Sequence, residues 1–228
     1  MVGLDVPPGS PGRGRGGRRC RTLADFDPSE VAVPEYPPDV VRRFHASPDQ
    51  VGAGLIGDPP RTWRAVVIED YDPAWVDRFA AARSLLTEAL GSLVIGLEHV
   101  GSTSVPGLPA KPVIDIDLLV EDTAEESGYV PALERAGYRL VLREPWWHGH
   151  RMLVSAAEDV NLHVWPRGAP EPVRHRLFRD WLRSHPDDRE LYATTKRRLA
   201  RDTAHRPSDY SLAKNDVIDA IYGRIFAV

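Results

Sequence analysis

The stretch from His99 to Leu118 holds the residue types from which phosphate chemistry is built. It runs His99-Val100-Gly101-Ser102-Thr103-Ser104, then through Lys111-Pro112 to Val113-Ile114-Asp115-Ile116-Asp117-Leu118. Glycine and serine directly after a strand let the backbone approach a phosphate, with N–H and hydroxyl donors turned to its oxygens. Asp115 and Asp117 stand two apart, so on a strand both carboxylates project from one face. Ile114, Ile116 and Leu118 then point the other way, into a core. Two carboxylates on one face suit Mg²⁺, a hard cation that takes oxygen ligands and bridges to substrate phosphates. Each half of this pattern is common alone. What gives it weight is the combination, a Gly-Ser turn and an acidic strand separated by 12 residues.

Several cations are candidates to meet a polyphosphate. Lys111 lies between the turn and the acidic strand, while Arg179 and Lys196 fall on helical segments that would close over a sheet. Arginine suits bidentate phosphate contact, and lysine serves as a point charge. Lys214, further along, is a weaker candidate. For any one of them, a solvated or structural ion pair is the competing reading.

Val100, Gly101, Ser102, Asp115 and Asp117 together resemble the signature of the nucleotidyltransferase superfamily. The resemblance narrows along the chain. His99-Val-Gly-Ser-Thr-Ser-Val-Pro-Gly-Leu-Pro-Ala-Lys-Pro-Val-Ile-Asp115 is similar to the GrpB family, and four further motifs agree in order. These are Tyr71-Asp-Pro-Ala-Trp75, Asn161-Leu-His-Val164, Leu177-Phe-Arg-Asp-Trp-Leu-Arg183 and Tyr192-Ala-Thr-Thr-Lys196. The similarity runs from about residue 66 to the end, and such domains also occur fused to dephospho-CoA kinases. It implies an α+β, nucleotidyltransferase-like fold: a mixed β-sheet, flanking helices and a C-terminal helical bundle. It implies transfer of a nucleotidyl group from an NTP to an unknown acceptor, with Mg²⁺ held by Asp115 and Asp117, or Mn²⁺ in its place. Gly101, Ser102, Ser104, Lys111, Arg179 and Lys196 would bind the nucleotide. The alternative is a non-catalytic module of the same fold that binds a nucleotide or phosphorylated metabolite.

One departure from the superfamily pattern bears on that choice. A third carboxylate is usual on a neighbouring strand, and here that strand reads Val160-Asn161-Leu162-His163-Val164, with Asp159 nearer the turn. His163 has three roles open to it: metal ligand, general base on an incoming hydroxyl, or a hydrogen bond inside the sheet. Trp146-Trp147-His148-Gly149-His150 is a second unusual cluster. It reads as tryptophans packed under C-terminal helices with solvated histidines, against base stacking or metal binding as the sharper options.

The elements that must position these groups follow from periodicity. A strand is expected at 65–68. A helix is expected from Asp72-Pro73, with Trp75, Phe79, Ala82, Leu86 and Leu90 on one face and an end before Gly91. Strands are expected at 93–100, 113–120 and 138–143, and a hairpin at 151–155 and 160–165. A helix over 123–136 carries Pro131 in its middle. The remainder reads as helices with Val173, Leu177, Phe178, Trp181 and Leu182 inward, then Pro186 to Leu199, then a last one capped by Ser208 or Asp209.

Residues 1–60 differ in kind. They hold 10 of the 21 prolines and 9 of the 18 glycines but 3 of the 18 aromatics, so they read as a largely flexible extension to a domain at 61–228. A short helix within 40–55 is limited by Pro48. Arg13, Arg15, Arg18, Arg19 and Arg21 form an acid-free run, readable as an arm touching RNA or as an unstructured leader. The whole chain has a net charge of −4, which argues against a general nucleic-acid binder. Cys20 is the sole cysteine and excludes an intramolecular disulfide. No apolar run is long enough to span a membrane. The expected location is the cytoplasm.

Overall fold

The structure, a computed structural model, describes residues 36–47, 49–50, 52–204 and 209–227. The arginine run, Cys20, Pro48 and Ser208 lie outside the described residues. Five strands form one mixed sheet: β1 (Gly96–Val100), β2 (Ile114–Val120), β3 (Tyr138–Glu144), β4 (His150–Ser155) and β5 (Val160–Pro166). Their order is β1-β2-β5-β4-β3. β2 and β5 run parallel at the centre, and the other pairs are antiparallel.

Helices flank this sheet: α1 (Pro38–Val41), α2 (Ala74–Leu90), α3 (Glu126–Arg135), α4 (Glu171–Ser184), α5 (Pro186–Asp202), α6 (Asp209–Ala213) and α7 (Asn215–Ile225). In α2 the Asp72 carboxylate accepts from the Ala74 N–H (2.9 Å), and Gly91 ends the helix at φ 54°. Its stripe of Trp75, Ala82, Leu86 and Leu90 is buried with Ile114, Ile116 and Leu118 of β2 and Leu162 and Val164 of β5. A second core joins Val105 and Leu108 to α4, α5 and α7 through Leu182, Tyr192, Val217, Ile221 and Ile225. The α+β class, the mixed sheet and its flanking helices are therefore as expected.

Three local predictions fail. Residues 65–68 form no strand. Instead Glu69 and Ala110 exchange a single pair of backbone hydrogen bonds (2.9 Å each), and Val67 is left 59% exposed. The strand predicted at 93–100 begins at Gly96, because residues 91–93 form a 3₁₀ turn. α3 starts at Glu126 rather than near residue 123, since the Thr123 hydroxyl donates to the Gly149 carbonyl (2.6 Å) in the preceding loop.

Within 40–55 the helix is α1 alone, a single turn ending at Val41. The chain beyond it follows the β3 edge. The Ile56 N–H donates to the Val141 carbonyl and the Arg143 N–H to the Gly54 carbonyl (2.9 Å each). Such cover satisfies backbone groups that an open edge strand would leave unpaired.

Candidate functional site

The sheet's two faces differ in chemistry because successive strand residues alternate. Behind β2, Ile114, Ile116 and Leu118 are wholly buried. In front, Asp115 lies beside Asn161 and Asp117 beside His163 in the parallel β2–β5 register. The two acids share a face, as their spacing requires, yet their surroundings diverge.

Asp117 is fully buried and both of its oxygens are engaged. The Trp165 indole donates to Oδ1 (2.9 Å) and His175 Nδ1 to Oδ2 (2.8 Å). Burial pushes the Asp117 pKa up, but the charge and hydrogen bond of His175 outweigh it and the net shift is downward. Burial likewise lowers the His175 pKa, and Asp117 reverses that to a net rise. The pair is thus an ionised carboxylate against an imidazolium.

Asp115 keeps a side-chain exposure of 29%. Its Oδ1 accepts from the Asn161 amide (2.8 Å), with His163 Nε2 at 3.8 Å. Burial raises its pKa, but His163, Asn161 and the charge of Lys214 bring the net shift below the ordinary value. Its Oδ2 lies against Gly101, where any Cβ would collide with it. Gly101 also holds φ 67° and ψ −171°, a conformation open to glycine almost alone. Glycine here is required twice over.

Behind His163 runs a buried chain. His150, 1% exposed, sits with Nε2 3.0 Å from His163 Nδ1 and Nδ1 2.7 Å from Glu144 Oε2. Burial holds His150 well below its ordinary pKa, so the ring is neutral and donates from one nitrogen while accepting at the other. His150 thus links Glu144 to His163, whose Nε2 is turned towards Asp115.

Gly101 begins a bend, residues 101–104, that carries donors. Among the described residues, no hydrogen bond takes up the backbone N–H of Ser102 or Thr103. The Ser102 hydroxyl is bonded to Tyr192, whose own hydroxyl is pushed up to about 12 by burial. Two lysines, Lys111 and Lys214, feel the charge of Asp115. Burial lowers the pKa of Lys111, against the pull of Asp115. Burial brings Lys214 down to about 8, Asp115 opposing and the charges of Lys111 and Arg43 adding to the fall.

The other predicted binding residues are otherwise occupied. The Ser104 hydroxyl donates to the Gly101 carbonyl (2.6 Å) and so shapes the bend from within. Arg179 donates to Glu98 (2.9 Å), the His99 carbonyl (3.0 Å) and both oxygens of Asp180 (2.8 and 3.1 Å). Lys196, 2% exposed, donates to the Pro109 carbonyl over the Tyr192 ring. Asp159 is taken by Ser155 (2.8 Å) and Arg78 (3.1 Å). The tryptophan cluster also differs from its prediction. Trp147 packs on Phe44, His150 and Trp165, and only His148 is exposed, because His150 enters β4 and turns inward.

A divalent metal meets a poor donor set. Both Asp117 oxygens and one Asp115 oxygen already accept hydrogen bonds, and Asp117 is fully buried. Among the described residues, no three His, Cys, Asp or Glu side chains are grouped to hold an ion. The residues present do not fit the two-acid Mg²⁺ site expected from the D-x-D spacing.

Sequence reasoning did not single out Glu144, His175, Trp165 or Arg43. A signal existed for Trp165, which shares the strand period of Asn161 and His163. None existed for His175, 58 residues from its partner.

A mixed five-stranded sheet with this polar front face defines the class, and comparison with known proteins supplies the family. Residues 65–224 match the family described as GrpB protein, and the chain belongs to it. It is 44% identical over 160 residues to UPF0157 protein BH1888 of Halalkalibacterium halodurans, covering 70% of this chain and 82% of that one. It is also 44% identical over 177 residues to UPF0157 protein SCO7215 of Streptomyces coelicolor, covering 78% and 92%. A dephospho-CoA kinase of Mycobacterium bovis is 33% identical over 153 residues, 55% of this chain and 37% of that protein. The crystal structure of the conserved protein GrpB from Enterococcus faecalis superposes with a TM-score of 0.64 at 30% identity, covering 71% of this chain and 98% of that one. Among the described residues, no helix is long and apolar enough to cross a membrane.

Proposed function

We propose that this chain binds a nucleotide or phosphorylated metabolite, with the phosphates seated between the Gly101–Ser102 bend and the ammonium groups of Lys111 and Lys214. The observation that carries this reading is an imbalance. Two unpaired backbone amides follow Gly101, which touches one partly open carboxylate, and the charges of Lys111 and Lys214 act on that carboxylate, an arrangement that costs free energy until an anion enters. Calorimetric titration with pyrophosphate, ATP and GTP, each with and without Mg²⁺, tests it. Binding to at least one probe is expected, weakened about tenfold or more by Lys111→Ala, as loss of a charge-assisted contact implies. No binding to any of these ligands would overturn the proposal.

A second reading is nucleotidyl transfer from an NTP to an unknown acceptor, as in the nucleotidyltransferase superfamily. It is favoured by His163, whose Nε2 faces Asp115 with its other nitrogen held by His150, a suitable posture for a general base. In this reading the chain's own residues orient the phosphates and take a proton from the acceptor hydroxyl onto His163 Nε2. No step is assigned to a metal, because Asp117 is fully buried with a hydrogen bond on each oxygen. Pyrophosphate release that is abolished by His163→Ala supports transfer. Binding without release over a wide acceptor screen assigns the chain to binding alone.

A further inference from the structure

The family match begins at residue 65, yet part of the segment before it lies against the site. Residues 38–46 are fastened at four points. Val40 is buried, and the wholly buried Arg174 donates from Nη1 to the Val40 and Val41 carbonyls. Phe44 stacks on Trp147 with ring centres 5.9 Å apart. Arg43 donates from Nη1 to Asp219 (2.9 Å) and from Nη2 to Asn215 (2.9 Å), both on α7. His45 Nε2 meets the second oxygen of Asp219 at 3.0 Å.

These contacts fix Arg43 against the start of α7. Asn215 directly follows Lys214, and the charge of Arg43 reaches both Lys214 and Tyr192, the partner of Ser102. Arg43 and His45 share the carboxylate of Asp219. The Arg43 side chain is 23% exposed, and among the described residues its Nε has no hydrogen-bond partner. A guanidinium held by two of its nitrogens, with a third donor free, is pre-organised for an anion.

We propose that Arg43, supplied by a strap outside the family-matched region, is a specificity-determining ligand of the bound phosphate together with Lys214. The inference rests on the phosphate-binding reading and extends it to a residue of the preceding segment. A strap in this position could instead merely cover the site, and the two roles predict opposite changes in affinity.

The test is calorimetric titration of the full-length chain with pyrophosphate and with ATP, in wild type, Arg43→Ala, Arg43→Lys and Lys111→Ala. Arg43→Ala is expected to weaken binding about tenfold, the usual scale for a charge-assisted hydrogen bond. Arg43→Lys keeps the charge but not the fork, and should lose severalfold. Circular dichroism checks that each variant is folded. If Arg43→Ala does not fold, Arg43→Lys decides, and unchanged affinity there overturns the proposal. Unchanged or tighter binding by a folded Arg43→Ala also overturns it and makes the strap a cover. Loss of binding in Lys111→Ala alone refutes the role of Arg43 and leaves the phosphate site standing. A wild type that binds neither probe removes both.

Discussion

The two faces of one sheet are stabilised by different rules. On β2, Ile114, Ile116 and Leu118 are wholly buried against apolar neighbours and require from them only volume. One residue along, Asp115 and Asp117 face the other way, and each is accommodated through partners named by chemistry. Asn161 and His163 serve Asp115, while Trp165 and His175 serve Asp117. The apolar face degrades in proportion to what is removed. The polar face fails by orphaning whatever is left behind.

The largest break in this comparison comes from Asp117→Ala, which strands the Trp165 indole and the charged His175. Removing one partner of a buried ion pair costs about 3–5 kcal/mol. Ile116→Val, on the opposite face of the same strand, should cost about 0.5–1.5 kcal/mol. Urea denaturation of both variants checks the ratio, and equal losses would contradict the account.

Gly101→Ala comes next. It forces a residue with a Cβ into a glycine-only conformation, a strain of about 1–3 kcal/mol, and drives that Cβ into Asp115. Gly107 also has positive φ (77°) but faces open space, so Gly107→Ala should cost less and leave ligand binding intact. Denaturation and pyrophosphate titration of the two variants separate strain from collision.

A smaller effect reads the polar face through pH. The raised pKa of His175 means that its contribution is fully present below its unfolded value of 6.5 and is lost as pH rises through the folded value. The excess stability of wild type over His175→Gln should therefore shrink between pH 6 and pH 9. An excess that stays constant over that range would show His175 to be uncharged. In the ligand, the smallest and most local change is expected at Lys214. With its pKa near 8, phosphate affinity should fall as pH passes that value, and Lys214→Ala should flatten the profile.

The features legible in the sequence are those that local spacing dictates. Period two placed Asp115 and Asp117 on one face and their isoleucine and leucine neighbours on the other. Period 3.6 drew α2 from Trp75 to Leu90, and its end at Gly91 was read from residue type. What lay beyond reach is partner choice. Trp165 and His175 come to Asp117 from 48 and 58 residues away, and Arg43 reaches Asp219 across 176. Such pairings are made by tertiary packing and leave no local signature. Lys196 and Arg179, marked by motif likeness, likewise have partners distant in sequence: Lys196 donates to the Pro109 carbonyl and Arg179 to Glu98. Residues 36–47 also carry more order than proline and glycine content suggests, because Val40, Arg43 and Phe44 each find a partner on the domain.

The central claim is most directly tested by a crystal structure of the full-length chain grown with saturating pyrophosphate. The account predicts phosphate density with oxygens within about 3 Å of the Ser102 and Thr103 amides and of the Lys111 and Lys214 ammonium groups. Density at another place on the protein, or an empty bend under ligand concentrations that saturate binding in solution, would contradict it.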